Sequence, residues 1–141
     1  MSYTSYKLLI LIPPDNEITL DEIEKHLRAR FERRGDVRIE RKSSTHIEIF
    51  FGDWRFHVYW QDEPSVVIES QEIANVFAKS RQDQEIIASC RKRITTAGSL
   101  DPNMAHFNDY LSVYALLESL ENVYMYDEAI GELWKSGEPA P

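Results

Sequence analysis

The sequence has little cysteine and little glycine, and both shortages exclude familiar kinds of site. Cys90 is the only cysteine among 141 residues, so an intramolecular disulfide and the usual cysteine-based metal site are excluded. None of the five glycines belongs to a G-x-G-x-x-G or G-x-x-x-x-G-K-[ST] loop, with which many nucleotide enzymes hold phosphates. The G-x-S-x-G, H-E-x-x-H and C-x-x-C motifs are missing as well. The sequence therefore predicts no catalytic residue, no metal ligand and no cofactor.

Long apolar runs are also missing. The longest stretch without a charged residue, Tyr110–Leu117, has 8 residues, whereas a membrane-spanning helix needs about 20. The first apolar run, Leu8–Ile12, ends at Pro13 and has no small-residue cleavage site, so it makes a poor signal peptide. Because a lone thiol fits a reducing compartment, we expect a soluble, cytoplasmic protein with no membrane partner. We expect one domain over residues 1–135 and a disordered tail over 136–141.

Negative charge is concentrated in the C-terminal part of the chain. The net charge is −8 at pH 7, and residues 101–141 hold 8 acidic side chains and a single basic one, Lys135. Residues 25–42 are basic, but acidic side chains are interleaved among them, which is typical of a solvated helix face. Net acidity disfavours nonspecific binding of nucleic acid. The asymmetry favours a basic protein partner or a second copy of the chain.

The hydrophobic pattern predicts an α+β fold that begins with a buried strand and a capped helix. Residues 6–12 form an apolar run that only Lys7 interrupts, typical of a strand in the middle of a sheet. Thr19 and Glu22 make a capping box, and Gly35 marks the end of the helix. We expect a single domain with a mixed sheet of four or five strands, built on a β-α-β-β-β core with helices packed on it.

Three alternating segments, 36–42, 46–51 and 54–60, predict the strands that follow. The pair Gly52-Asp53 suits a two-residue hairpin, and this turn sets the register of the last two strands. The side chains on their outer face then include two imidazoles, a carboxylate, a guanidinium and a phenol: His46, Glu48, Arg55, His57 and Tyr59.

That outer face is the best candidate for a ligand or partner surface, with an anion among its candidate ligands. The alternative is a polar sheet face half covered by later helices, with Glu48–His57 as an ordinary cross-strand pair. His106, three residues before Asp109, is interpreted as a hydrogen-bonded, half-buried histidine. Cys90 is interpreted as a small core residue.

The second half of the chain is predicted to be mainly helical. Residues 66–68 and 91–96 are left open as short strands, the latter as an edge strand. Asp101 is a candidate N-cap for a long apolar helix over 102–121, which a short hairpin over 123–134 follows. The least apolar strip of this helix holds only small, uncharged residues: Asn108, Ser112, Ala115 and Ser119. We favour a buried helix, and the alternative is packing against a second copy.

These patterns favour a non-enzymatic protein-interaction module of the adaptor, chaperone or immunity-protein type. It is expected to form a homodimer and to bind a basic protein through an acidic surface that includes Glu118, Glu121 and Glu128. The alternative is a small-molecule-binding protein or an enzyme that uses the face with His46 and His57. Binding of nucleic acid is disfavoured.

Overall fold

The computed structural model describes residues 6–138, which contain seven strands and four helices. In chain order the elements are β1 (Leu9–Ile12), α1 (Leu20–Phe31), β2 (Val37–Ser43), β3 (His46–Phe51), β4 (Trp54–Gln61), α2 (Pro64–Phe77), α3 (Gln84–Ala88), β5 (Lys92–Gly98), α4 (Phe107–Glu118), β6 (Tyr124–Asp127) and β7 (Glu132–Lys135). None of these helices has the length and apolar character that crossing a membrane requires.

All seven strands belong to one sheet with the order β2-β3-β4-β5-β1-β6-β7. The predicted α+β class is confirmed. The sheet is larger than the four or five strands expected, and every neighbouring pair within residues 6–138 is antiparallel, where a mixed sheet was expected. Of the two segments left open by the sequence, residues 91–96 join the sheet as part of β5, and β5 and β6 flank β1. β5 is thus a central strand instead of an edge strand, whereas residues 66–68 lie within α2.

Two hydrophobic cores lie on opposite faces of the sheet, and β1 contributes to both. All four residues of β1 are buried, as its continuous apolar run predicted. Ile10 and Ile12 pack in the first core with the buried residues of α1 and α4. Leu9 and Leu11 pack in the second core with residues of α2, α3, β6 and β7. That second core contains no described residue of β2, β3 or β4, so the helices cover only one end of this face.

The predicted cap of α1 and the β3–β4 hairpin are confirmed, whereas α1 ends at Phe31, before Gly35. The Thr19 Oγ1 accepts a hydrogen bond from the backbone N–H of Glu22 at 3.3 Å, as a capping residue does. The hairpin between β3 and β4 has the predicted register, with Phe51 opposite Trp54. Gly52 has a φ of 65°, a conformation that glycine adopts without steric cost.

The C-terminal helix is shorter and more exposed than expected. α4 begins at Phe107 instead of Pro102, because Met104 has a left-handed φ of 54° and interrupts the helical path. Asp101 is buried instead of capping: its carboxylate accepts hydrogen bonds from the Tyr6 hydroxyl at 2.6 Å and the His106 backbone N–H at 2.9 Å. The expectation of a buried helix is wrong, since one side of α4 faces solvent.

The chain after β7 is described as far as residue 138. The backbone N–H of Ser136 donates to the carbonyl oxygen of Val123 at 2.9 Å. The backbone N–H of Gly137 donates to the Glu118 carboxylate at 3.1 Å. Residues 139–141 of the predicted disordered tail lie outside the described residues.

Candidate functional site

The predicted ligand face consists of His46, Glu48, Arg55, His57 and Tyr59, and the register of β3 and β4 brings these residues together. His46 lies opposite Tyr59, and Glu48 lies opposite His57. The Nε2 of His46 and the Nδ1 of His57 are 3.0 Å apart, so one nitrogen donates a hydrogen bond to the other. The His46 and Tyr59 rings stack with their centroids 4.5 Å apart. The predicted constellation therefore exists as a cross-strand cluster.

Glu48 lies at the centre of the ligand face and is only 5% exposed. The Nζ of Lys42 lies 3.7 Å from its carboxylate, and the Nη1 of Arg55 and the Nδ1 of His57 each lie 3.8 Å away. These separations suit ion pairs but are too long for hydrogen bonds. The carboxylate is therefore surrounded by positively charged or imidazole groups without being tightly bound by any of them.

The two imidazoles of the ligand face are poor bases in this position. Burial lowers the pKa of His46, and the nearby His57 lowers it further, while Glu48 acts in the opposite direction. Burial also lowers the pKa of His57, again against the influence of Glu48. Both rings are consequently neutral at pH 7, and each keeps one nitrogen that can donate and one that can accept.

The ligand face is open instead of concave. Two cavities, of about 960 Å³ and 480 Å³, lie elsewhere, and no residue of the ligand face lines either of them. Next to the face, the guanidinium groups of Arg38 and Arg55 lie 4.1 Å and 5.3 Å from the centroid of the Phe50 ring. These are ordinary cation–π distances, so this row of side chains stabilises the sheet whether or not a ligand binds.

A second surface is the exposed side of α4, which we call the α4 face. It consists of Asn108, Leu111, Ser112, Ala115 and Ser119, and it includes all four residues of the predicted dimer strip. Leu111 is 39% exposed, and Ser112 is the only member classed as half-buried. No residue of the α4 face is charged.

Both charged side chains of α4 are bound within the protein. The Asp109 carboxylate accepts a hydrogen bond from Arg34 Nη1 at 2.9 Å, and its other oxygen is 2.9 Å from the Nδ1 of His106. The Glu118 carboxylate accepts hydrogen bonds from the Trp134 Nε1 and the Gly137 N–H, each at 3.1 Å. The two charged side chains of α4 therefore bind groups outside the α4 face.

A groove of about 960 Å³ runs between α1 and α4. Ser119 lines this groove and is also a member of the α4 face, so the two surfaces adjoin. The helices are antiparallel, because Asn16 contacts the carbonyl of Glu121 at one end and Arg34 contacts Asp109 at the other. The two ends of the groove carry opposite charge. The acidic end has Glu17, Glu22 and Glu121, and the basic end has Arg30.

The predicted acidic surface is not brought together in the same way. Glu118 is bound by Trp134 and Gly137, and Glu121 lies at the acidic end of the α1–α4 groove. Glu128 follows β6, at the other end of that strand, and its carboxylate lies 2.8 Å from the Nζ of Lys7. These residues contribute to two separate regions of the surface.

The remaining candidates for chemistry have structural partners. The His106 ring is half-buried and stacks on Trp54 at 4.8 Å, and its Nδ1 contacts Asp109, as interpreted from the sequence. Cys90 is completely buried, and burial raises the pKa of its thiol to about 12, so it stays protonated and unreactive. No group of three histidine, cysteine or acidic side chains within residues 6–138 is arranged to hold a metal ion.

Sequence reasoning missed a cleft of about 180 Å³ between α4 and the turn after β6. We call it the aromatic cleft; Tyr6, Lys7, Phe107, Tyr110, Leu111, Tyr114, Asp127 and Ala129 line it. The aromatic residues at 107, 110 and 114 follow helical spacing, which by itself predicts only that they share the apolar side of α4. Nothing in the local sequence placed Asp127 beside them, because that depends on the pairing of β6 with β1.

Comparison with known proteins adds no assignment. No family model matches the chain, and no curated protein or solved structure matches it either. Function is therefore inferred from the surfaces described above.

Proposed function

We propose that the protein is a non-enzymatic interaction module that forms a homodimer through the α4 face. The observation that carries this proposal is an exposed helix face without charge, on a helix whose two charged residues bind elsewhere in the protein. An exposed helix normally presents charged residues to water. Depletion of charge is instead typical of the centre of a protein interface.

The side chains of the α4 face suit close packing against another helix. Ser112, Ala115 and Ser119 are small, so the backbone of a second helix can approach closely, with ridges of side chains entering grooves. Leu111 adds an apolar side chain at the edge of the face. At the α4 face, such an interface gains from burial of apolar surface and requires no desolvation of charge.

A second copy of the chain fits this surface because the adjoining α1–α4 groove is complementary to itself. A two-fold axis across the middle of the groove reverses the direction of the groove in the second copy. The acidic end, with Glu22 and Glu121, then lies against the basic end, with Arg30, of the other copy. The same contact occurs twice, which favours a symmetric dimer over a chain of copies.

The experiment that tests this proposal places a charge at the centre of the α4 face. In an Ala115→Glu variant the two new carboxylates face each other across the two-fold axis, so we expect the dimer dissociation constant to rise about 100-fold. Sedimentation equilibrium measures this constant. The control is Val76→Glu on α2, an exposed position on the other face of the sheet, which should leave the constant unchanged. Equal effects of the two substitutions would refute the proposed interface.

A second candidate function is binding of a small molecule, with or without catalysis, at the ligand face. The observation that favours it is Glu48, which is buried among Lys42, Arg55 and His57 but hydrogen-bonds to none of them. Lys42, Arg55 and His57 therefore have N–H donors from which a small anion can accept hydrogen bonds.

NMR of the imidazole signals during titration with phosphate and acetate tests this second candidate. We expect the His46 and His57 signals to shift, and the response to disappear in His57→Ala but not in the control His26→Ala. Signals that stay unchanged at millimolar anion would remove the anion as a ligand and leave the face with a structural role.

A further inference from the structure

Three aromatic rings of α4 line the aromatic cleft. The centroids of the Phe107 and Tyr114 rings lie 6.3 Å and 6.1 Å from the centroid of the Tyr110 ring. These two rings are tilted against Tyr110 by 41° and 57°. Tyr6 stacks on Tyr110 at 4.7 Å and holds it in place. The cleft is therefore a small hollow with several ring faces around it.

The aromatic cleft also contains a carboxylate that has no positively charged partner among the described residues. Asp127 lines the cleft and forms no ion pair with any of residues 6–138; its Oδ1 accepts the N–H of Ala129 at 3.0 Å. Lys7 lines the cleft too, but its ammonium group lies 2.8 Å from the carboxylate of Glu128, outside the lining. The Lys7–Glu128 ion pair has no net charge, so the negative charge of Asp127 is the net charge of the cleft.

We propose that the aromatic cleft binds the quaternary ammonium group of a small molecule, with Asp127 as the counter-charge. A cation is attracted to the faces of aromatic rings within about 6 Å of their centroids, and the negative charge of Asp127 adds to this attraction. The cleft is smaller than the roughly 300 to 1,000 Å³ typical of sites for drug-sized ligands. It therefore fits a methylated ammonium group instead of a whole cofactor.

The lining favours a methylated ammonium over a primary one and over a neutral ligand. A primary ammonium has three N–H donors that need acceptors when it leaves water. The cleft offers mainly ring faces and apolar side chains, so a group without N–H donors loses less on entry. A neutral group of the same shape makes the same contacts but gains nothing from Asp127 or from the ring quadrupoles.

The experiment titrates the purified full-length chain with choline and with its neutral isostere, in which a tert-butyl group replaces the trimethylammonium group. NMR signals of the cleft residues report binding. We expect choline to bind about tenfold more tightly than the isostere. Equal affinity for the two ligands, or no binding of choline at millimolar concentration, would overturn the proposal.

Substitutions then locate the site. Tyr114→Leu keeps an apolar side chain but removes the ring, and Asp127→Asn removes the counter-charge; each should weaken choline binding about tenfold. Phe50→Leu, which removes a ring on the opposite face of the sheet, is the matched control and should leave choline binding unchanged. Lys7→Gln should tighten binding by removing a positive charge from the lining. If Tyr114→Leu fails to fold, Asp127→Asn and Lys7→Gln still test the site, because we expect the first to weaken choline binding and the second to tighten it.

Two further arms separate this site from other interpretations. Leu111 belongs to both the cleft and the α4 face, so the choline titration is repeated with the Ala115→Glu variant. An unchanged affinity for choline would show that the cleft binds it without the dimer. A trimethyllysine peptide is titrated in parallel. Binding of the peptide far tighter than that of choline would assign the cleft to a protein partner and overturn the small-molecule assignment.

Discussion

Helices α1 and α4 lie side by side on one face of the sheet and differ in what they present to solvent. Each has 12 residues and a buried stripe in the first core. The outer side of α1 carries ion pairs, such as Arg28 with Glu24 and Arg41 with Asp21. The outer side of α4 has no charge. The buried stripe therefore determines where a helix packs, whereas the remaining side indicates whether it meets water or a partner.

The difference also explains why the sequence was misleading about α4. Its apolar residues cover a wide arc, and the uncharged strip removes the usual sign of a solvent-facing side. Such a helix is normally buried. In this structure Tyr110 and Tyr114 face the aromatic cleft, and Ala115 and Ser119 face solvent. The wide apolar arc thus serves a core, a cleft and an uncovered surface.

The largest expected effects come from the buried stripes, where the two helices should behave alike. Leu27 of α1 and Leu117 of α4 are almost completely buried in the first core. Leu27→Ala and Leu117→Ala should each lower the free energy of unfolding by about 2–5 kcal/mol. Urea denaturation measures both values. A cost below about 1 kcal/mol for Leu117→Ala alone would contradict the packing of α4 described here.

An intermediate effect is expected from the charges at the ends of the α1–α4 groove. Arg30→Glu and Glu121→Arg each place like charges together across the proposed two-fold axis, so each should weaken the dimer about tenfold. The double variant exchanges the two charges and should recover most of the wild-type affinity. Sedimentation equilibrium measures all three proteins. Additive losses in the double variant would exclude the antiparallel arrangement of the two copies.

The smallest effect is expected on the charged side of α1. A hydrogen bond from Arg41 lowers the pKa of Glu24, against the opposing influence of burial, and a hydrogen bond from Arg28 lowers it further. Because the unfolded state then binds a proton more readily, Glu24 stabilises the fold above pH 4.5, and this contribution is lost as the pH falls through the lowered pKa. An exposed pair of this kind is worth about 0.2–1 kcal/mol.

Thermal unfolding between pH 7 and pH 3 checks this expectation. Glu24→Gln should lose stability at neutral pH and show a shallower decline in acid than the wild type. The control is Glu32→Gln, an exposed position that forms no ion pair with residues 6–138. Parallel curves for the wild type and Glu24→Gln would show that the Glu24 ion pairs do not stabilise the fold.

Features that depend on short-range chemistry could be predicted from the sequence. The cap at Thr19 and the turn at Gly52 involve residues a few positions apart, and the turn alone set the register that brings His46 to Tyr59. The ligand face was therefore predicted residue by residue, although its openness was not. Helices α2 and α3 cover the end of this sheet face that does not contain β2, β3 and β4. No local sequence pattern encodes where these helices pack.

Features that depend on distant pairings could not be predicted. β1 pairs with β5 and β6, which lie more than 80 residues later in the chain, so the sheet order was not accessible. Asp101, the predicted cap of α4, instead accepts a hydrogen bond from the Tyr6 hydroxyl, which lies 95 residues earlier in the chain. The approach of Asp127 to the aromatic cleft follows from the β1–β6 pairing in the same way.

The most direct test of the central claim is the mass of the wild-type protein in solution. Native mass spectrometry and sedimentation equilibrium, over a range of protein and salt concentrations, should find a ligand-free species of twice 16.5 kDa. Added salt should weaken it, because the ends of the groove attract each other by charge. A monomer of 16.5 kDa at every protein concentration would contradict the account, since the uncharged α4 face would then be exposed to water without a second copy to cover it.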